Sequence, residues 1–470
     1  MPLKPIEFPG FGGLDLRKDP QEGTAVDVLN VAFDRPGTVR TRPGTTSIYT
    51  AAANITTLAK MDPGGGVHPY IVFTTGSNIY VISIYAVVAL EGSTATTDGV
   101  YSHVGSPVDD VLYYCNGAGV VKKLTETASL SAPAGIPGGT YFVTTQSPDS
   151  RLVCSGFGGV VSFSEPADPE TFGVDDYVTL PGDVTEVASY NDLVFALNDT
   201  GLYVFYGNST DSTGGTIFNY RLITREVKNI SNAIDRCMAA GPDGVYINTE
   251  TGLYKTTGGI PTKISNPVEP MYEGNAPSLL GYASASTVRA PVFVDSKYLY
   301  LDSASVGYFW VLKLDTGEWS LWSTPYNYIV AGVSASSTST VPIFGSYNGT
   351  TIAKLDYAAT SDAGTAIVSR YRSGFFNPGP PGTESVIREW QIDGTSSTGA
   401  VTFSTSQDDS ATLSGASVSV GTSPTMGTGR DRRAVKGRNF SWQIGASSGS
   451  WSVSRVIANL RGARATGPES

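Results

Sequence analysis

Histidine is almost missing from this chain: His68 and His103 are the only two in 470 residues. Two imidazoles cannot build a histidine-rich metal site. They also leave little for Ser/His/Asp or Cys/His nucleophilic chemistry. Cysteine is scarce too. Cys115, Cys154 and Cys237 are widely spaced and odd in number. They predict buried free thiols in a chain folded under reducing conditions, not a disulfide framework or a zinc cluster. Charged residues make up 16%, against about a quarter in ordinary globular proteins. The longest apolar run, Ile79 to Leu90, is about 12 residues and is interrupted by Ser83. A bilayer-spanning helix needs about 20. Met1-Pro2-Leu3-Lys4-Pro5 lacks the charged-then-apolar pattern of a signal peptide. No Gly-x-x-x-x-Gly-Lys-Ser/Thr loop occurs. Gly156-Phe-Gly158-Gly159 leads from one strand into another, so it reads as a hairpin turn without the helix N-terminus that holds a pyrophosphate.

What the chain does have is 54 glycines, 28 prolines, 25 tyrosines and abundant Ser and Thr. That is the composition of short strands and many turns. Its 40% hydrophobic content is enough to bury a core, and its length allows two or three domains or one repeat architecture. A repeat is visible: an alternating run, a Gly/Asn turn, then a second alternating run. It occurs at Tyr70–Ile82, Val111–Val121, Arg151–Phe163, Leu193–Phe205, Gly244–Tyr254, Lys297–Leu301 with Tyr308–Leu312, and Pro342–Ile352. The turns lie roughly 41 to 53 residues apart, the period of one four-stranded propeller blade. The expectation is a mainly β chain with a β-propeller of six or seven blades over 51–360; one long sandwich, or two in series, is the alternative. Residues 1–50 show little periodicity and predict an extended arm that orders against a neighbour. Past Asn377-Pro-Gly-Pro-Pro-Gly-Thr383, the alternating segments 386–392, 401–405, 440–444 and 451–457 predict a C-terminal β-sandwich over 361–470.

Charge is unevenly placed. Residues 1–50 carry 6 basic and 6 acidic side chains and 361–470 carry 11 and 8, leaving 14 and 28 in the middle. A body with 14 excess negative charges repels nucleic acid rather than gripping it. The densest acidic segment, Ser164-Glu-Pro-Ala-Asp-Pro-Glu170 followed by Asp175-Asp176, reads as a rigid solvated turn. Asp315-Thr-Gly317-Glu-Trp319 partly resembles a sialidase Asp box but has Lys313 where the leading serine belongs and is not repeated. It reads as a hairpin turn with Trp319 packed between blades. No carboxylate pair of the kind glycosidases use can be named. The basic run at Arg430, Arg432, Arg433, Lys436 and Arg438 reads as a solvated loop able to touch phosphates or an acidic partner. Arg35, Arg40 and Arg42 suit carboxylate forks on a neighbouring subunit.

The arm carries the most specific motif: Phe11-Gly12-Gly13-Leu-Asp-Leu16, then Asp27-Val-Leu-Asn30-Val-Ala-Phe33, then Pro36-Gly-Thr-Val-Arg40-Thr-Arg42-Pro43-Gly44. It resembles the opening of phage tail proteins of the nozzle and packaged-DNA stabilisation (tail tubular protein B-like) family, which start this way and run into a propeller. Ser164–Phe172 and Lys436-Gly-Arg-Asn-Phe-Ser-Trp442 are similar to two further phrases of those proteins. The resemblance implies a structural virion protein, not an enzyme: a homo-oligomeric, hexameric ring that extends the tail channel, retains packaged DNA and lets it out at ejection. It implies no cofactor, metal or catalytic residue. It implies contacts with tail adaptor or portal-proximal proteins and with tail fibres, transient passage of duplex DNA, and assembly in the host cytoplasm into the virion tail. Gly12, Gly13, Asn30, Arg40, Arg42, Pro43 and Gly44 are the assembly-arm candidates. Acidic residues are expected to face the lumen. The alternatives are a receptor-binding or fibre-attachment propeller and a propeller glycoside hydrolase.

Overall fold

A computed structural model describes residues 4–461 apart from 9–10, 18–23, 36, 62–69, 77, 83–86, 92–99, 105–110, 116–120, 126–129, 134, 138–140, 145–150, 156–157, 211–215, 230–236, 274–291, 295–296, 304–307, 324–342, 346–348, 380–382 and 409–411. His68 and the loop part of the 377–383 segment lie outside these residues. The chain opens with five strands: β1 (Lys4–Glu7), β2 (Ala25–Leu29), β3 (Val31–Arg35), β4 (Thr38–Thr41) and β5 (Gly44–Thr50). All seven sequence repeats then form antiparallel hairpins.

Five of the repeats complete a four-stranded antiparallel sheet of their own. These are β6–β9 (Ile55–Met61, Tyr70–Thr75, Asn78–Ile82, Val87–Glu91), β10–β13 (Val100–Val104, Val111–Cys115, Val121–Thr125, Leu130–Ser131) and β14–β17 (Tyr141–Thr144, Leu152–Ser155, Val160–Phe163, Tyr177–Thr179). The other two are β18–β21 (Val184–Tyr190, Leu193–Asn198, Leu202–Thr210, Thr216–Thr224) and β22–β25 (Met238–Gly241, Gly244–Thr249, Gly252–Thr256, Thr262–Lys263). The arrangement is a five-bladed propeller, which corrects the expected six or seven. The remaining hairpins are drawn into composite sheets. The quartet β26–β29 (Val292–Val294, Tyr298–Ser303, Tyr308–Lys313, Trp319–Ser323) runs on into a nine-stranded sheet. The pair β30 (Ile343–Gly345) and β31 (Thr351–Asp356) takes its third strand from β5. The first strands of successive sheets touch one another from β6 through β26, and β30 touches β6.

The last strands are β32 (Ser361–Asp362), β33 (Thr365–Ala366), β34 (Ser369–Ser373), β35 (Ser385–Ser396), β36 (Ala400–Gln407), β37 (Ser414–Ser419), β38 (Gly421–Thr422), β39 (Gly427–Asp431), β40 (Val435–Gly437), β41 (Phe440–Ala446) and β42 (Trp451–Arg461). β32 and β33 extend the sheet of β30, β31 and β5, and β34–β42 build two sheets over one core. One sheet runs β26-β27-β28-β29-β2-β34-β41-β36-β37; the other runs β3-β4-β42-β35-β38, with β1 on β42 and β39 and β40 on β35. Trp390, Trp442, Trp451, Phe403, Phe440 and Tyr371 are buried between them, and the same core continues into Trp310, Trp319, Leu299 and Leu301. Strand alternation explains it: Trp390 and Ile392 point inward from β35 while Gln391 points outward.

The first fifty residues, expected to form an extended arm, are instead paired into the sheets of their own chain. β2 lies between β29 and β34, with Leu29 opposite Leu321 and Tyr371 opposite Val28. β5 pairs with β31, and β1 and β4 share one edge of β42. These pairings cross the expected boundaries at 50/51 and 360/361. The arm looked unstructured in sequence because, apart from the short β3–β4 hairpin, its strands find their partners hundreds of residues away.

Two turns show why the hairpins form where they do. Asn198-Asp-Thr-Gly201-Leu-Tyr203 and Thr249-Glu-Thr-Gly252-Leu-Tyr254 occupy the same place in neighbouring blades. In the first, Asn198 Oδ1 accepts from Thr200 N and Gly201 N; in the second, Thr249 Oγ1 accepts from Thr251 N. In both, the middle threonine hydroxyl meets the tyrosine hydroxyl, at 3.0 and 3.1 Å. Gly201 has φ +152°, and a Cβ there would lie 2.4 Å from Thr224 O. Only glycine fits that turn.

Candidate functional site: the arm junction and the basic sheet edge

The arm motif residues converge on one buried junction. Asn30 sits in the left-handed region at φ +54°, which asparagine tolerates better than most residues. Its Nδ2 donates to Ser323 Oγ and Val368 O, both at 2.7 Å. Its Oδ1 accepts from Ser323 N at 2.7 Å and Arg42 Nε at 2.9 Å. Arg42 is 2% exposed. Its Nη1 donates to Pro43 O (2.8 Å) and Asp362 Oδ1 (3.0 Å), and its Nη2 to Ser323 O (2.6 Å) and Asp362 Oδ2 (2.5 Å). Thr45 Oγ1 donates to the same carboxylate at 3.2 Å. The guanidinium lies 5.8 Å from the Trp322 ring centroid, and Trp322 Nε1 donates to Val31 O. A buried charge is tolerated only when paired and fully hydrogen-bonded, and this one is. Pro43 is buried, and a Cβ on Gly44 would lie 2.2 Å from Ser361 O. Arg40 is half-buried; burial lowers its pKa, with Tyr298 pulling the other way. Of the three arginines expected to fork onto a neighbouring subunit, Arg42 makes its fork within the chain, and the side chain of Arg35 lies outside the described residues.

The double glycine seats the arm on the β28–β29 hairpin. A Cβ on Gly13 would lie 2.5 Å from Trp319 N and 2.7 Å from Glu318 Cα. Leu14 N donates to Trp319 O at 2.8 Å, and the Tyr371 hydroxyl to Gly12 O at 3.2 Å. The partial Asp-box motif is the hairpin turn expected: Gly317 N donates to Lys313 O, and Trp319 is 1% exposed. Burial pushes the Glu318 carboxyl above its ordinary value, with Lys313 pulling it down and Asp315 adding to the rise.

The basic run is only in part the loop expected: Arg430 lies on β39 and Lys436 on β40, while Arg432 and Arg433 sit in the connection between these strands and Arg438 in the bend before β41. β39 and β40 both pair with β35, with Arg430 opposite Gln391 and Lys436 opposite Val386. Sequence reasoning missed this because both strands are short and their partner lies about forty residues earlier. Arg430 and Arg432 are exposed and share one carboxylate, Glu389, at 3.6 and 3.5 Å. Lys436 reaches Glu384 at 2.6 Å, and Arg438 is exposed. Arg433 turns inward, forking onto buried Asp431 and donating to Phe403 O.

One arrangement went unread in the sequence. A tyrosine on a second strand faces a lysine on the third at Tyr113/Lys123, Tyr246/Lys255 and Tyr298/Lys313. Each lysine meets a carboxylate: Glu170, Asp243 and Asp315 respectively. Tyr113 and Tyr246 donate to the same carboxylates, and burial pushes both phenols up. Aligning the hairpins across their turns would have shown it. Glu170 also changes the reading of the acidic segment 164–170, which clasps the neighbouring sheet at Tyr113 and Lys123 while Asp168 stays exposed.

Cys115, Cys154 and Cys237 are buried free thiols. Among the described residues, no group of three or more His, Cys, Asp or Glu side chains could hold a metal ion, and no helix is long and apolar enough to cross a membrane. The chemistry these sites display is holding: charge forks, carbonyl acceptors and close backbone contact.

A scan of protein-family models finds no match, and neither does a search of curated proteins. Among solved structures, the chain is similar to U3-55K (10% identity, 67% of this chain and 100% of that one, TM-score 0.42). It is similar to PorZ, a surface component of the type-IX secretion system of Porphyromonas gingivalis (12% identity, 72% of this chain and 43% of that one, TM-score 0.42). It is also similar to the AfRom2 CNH domain (9% identity, 68% of this chain and 100% of that one, TM-score 0.41). Neither a family nor a function for this chain follows from likenesses of this size.

Proposed function

We propose that this protein is a structural subunit of a phage tail, a nozzle or tail-tube component whose hexameric ring extends the DNA channel. In that role it retains the packaged genome, permits its ejection, and catalyses nothing. The observation that carries the reading is the use made of the arm motif. The residues that resemble the nozzle-type opening, Gly13, Asn30, Arg42 and Gly44, are the ones that lock the arm between the β28–β29 hairpin, β31 and β34. A motif kept for such a lock fits a subunit that must hold its shape in a large assembly. The charge pattern supports it: duplex DNA slides past a strongly acidic body instead of sticking. Neighbours would be tail adaptor or portal-proximal proteins, with assembly in the host cytoplasm.

Antibody labelling of purified particles from the source culture tests this. The reading expects label at the tail axis below the portal, and label absent from particles would sink it. A receptor-binding propeller is the second reading, favoured by Tyr177, Tyr206 and Tyr220, which stand exposed on neighbouring blades. It expects label at the tail periphery and soluble glycans that bind the protein.

A further inference from the structure

The outward face of the β35–β39–β40–β42 sheet differs in charge from the rest of the molecule. Cross-strand pairs set its membership: Gln391 with Arg430, Glu389 with Asn459, and Val386 with Lys436. At its β39–β40 end, Arg388, Arg430, Arg432 and Lys436 are exposed; among the described residues Glu389 and Glu384 pair with them, and Asp408 accepts from Arg438 N beside Gly437. Glu389 is divided between two arginines and also accepts from Asn459 Nδ2 at 3.4 Å. At the other end, Arg455 is occupied by Asp393 and lies 3.9 Å from Glu7. A net positive end therefore remains on a chain of net charge −11.

The opposite charge lies at one end of the propeller. The loop 181–183 and the turn at 198–201 touch: Asn198 Nδ2 donates to Pro181 O, and a Cβ on Gly182 would lie 2.6 Å from Asp199 Oδ1. A Cβ on Gly201 would lie 3.3 Å from Arg225 Cα, which brings in the loop after β21. Asp183, Asp199 and Glu226 are exposed there, with Arg225 exposed beside Glu226. Unlike charges on different faces of one subunit favour head-to-tail contact between copies and oppose like-to-like contact. A head-to-tail contact that closes makes a ring.

We infer that the basic β39–β40 end of the sandwich face docks on the acidic propeller end of a second copy of this chain, Arg430, Arg432 and Lys436 meeting Asp183, Asp199 and Glu226. The inference rests on the ring reading above and names the contact between its subunits.

The test is sedimentation of the full chain across protein concentration at low and high salt. Wild type should self-associate, and less so at high salt. Arg430→Glu/Arg432→Glu/Lys436→Glu should weaken association at least about tenfold. Asp183→Lys/Asp199→Lys/Glu226→Lys should do the same, and mixing the two variants should restore hetero-association. Unchanged circular dichroism shows that each variant is folded. A monomeric wild type, a charge-reversed variant that assembles normally, or no rescue on mixing overturns the inference. So does duplex DNA binding that the basic-face variant abolishes while self-association persists. Presence at the tail with charge reversal having no effect would defeat this contact alone. Association without presence in particles would defeat the phage-tail reading alone.

Discussion

Arg42 forks onto Asp362 through two guanidinium nitrogens, at 3.0 and 2.5 Å, across 320 positions of sequence. The pair fastens the arm to the segment entering the sandwich, and Asn30 and Ser323 tie the β26–β29 quartet to the same point. Removing one partner leaves a buried charge uncompensated. Arg42→Ala should cost about 3–5 kcal/mol and Arg42→Lys nearly as much, because one ammonium cannot reach all the acceptors. The Arg42→Met/Asp362→Leu pair should cost much less than the two single changes together. Thermal unfolding reads all of these. An Arg42→Ala protein within about 0.5 kcal/mol of wild type would show that the junction does not hold the arm.

Gly13→Val should unseat the arm without unfolding the blades. The new side chain would start 2.5 Å from a backbone nitrogen that belongs to a paired strand. Limited proteolysis should then cut within the first fifty residues while a fragment beginning past residue 50 persists. A protection pattern like wild type would contradict the seat.

Two glycines separate crowding from conformation. Gly201→Ala meets Thr224 O at 2.4 Å, whereas Gly317→Ala, at φ +75°, meets nothing within 4 Å. Gly317→Ala should cost about 1 kcal/mol from backbone strain alone. Gly201→Ala should cost clearly more, and equal losses in Tm would refute the distinction.

Most of the propeller was legible, and the physical reason is locality. Hairpins such as Leu193–Phe205 keep both strands and their turn within thirteen residues, so alternation and turn chemistry show them directly. The arm was illegible because Leu29 finds Leu321 and Val39 finds Val453. No local pattern encodes a strand whose partner is that distant. The number of blades was misread for the same reason: the hairpin at 297–312 looks like its siblings, but β2 joins its sheet to the sandwich. Arg42 was visible as a fork-forming residue; its partner Asp362 was not.

Glu318 gives the stability a pH dependence of known sign. Burial raises its carboxyl above the ordinary value. Below the unfolded value of about 4.3 both states are protonated and no cost arises. As pH rises from the unfolded value to the higher folded one, holding the carboxyl in its buried place costs increasing stability, and the full cost is present above the folded value. Glu318→Gln stays neutral, so its melting temperature should exceed wild type more at pH 7 than at pH 4. A constant difference across that window would show that the carboxyl is not strained by burial.

The central claim is that this chain is a ring subunit of a tail channel. Quantitative mass spectrometry of purified particles, with the portal protein as internal standard, tests it most directly. The account predicts about six copies for each twelve-subunit portal, one hexameric ring per tail. Absence from the particles, or copies in the multiples of three that trimeric fibres impose, would contradict it.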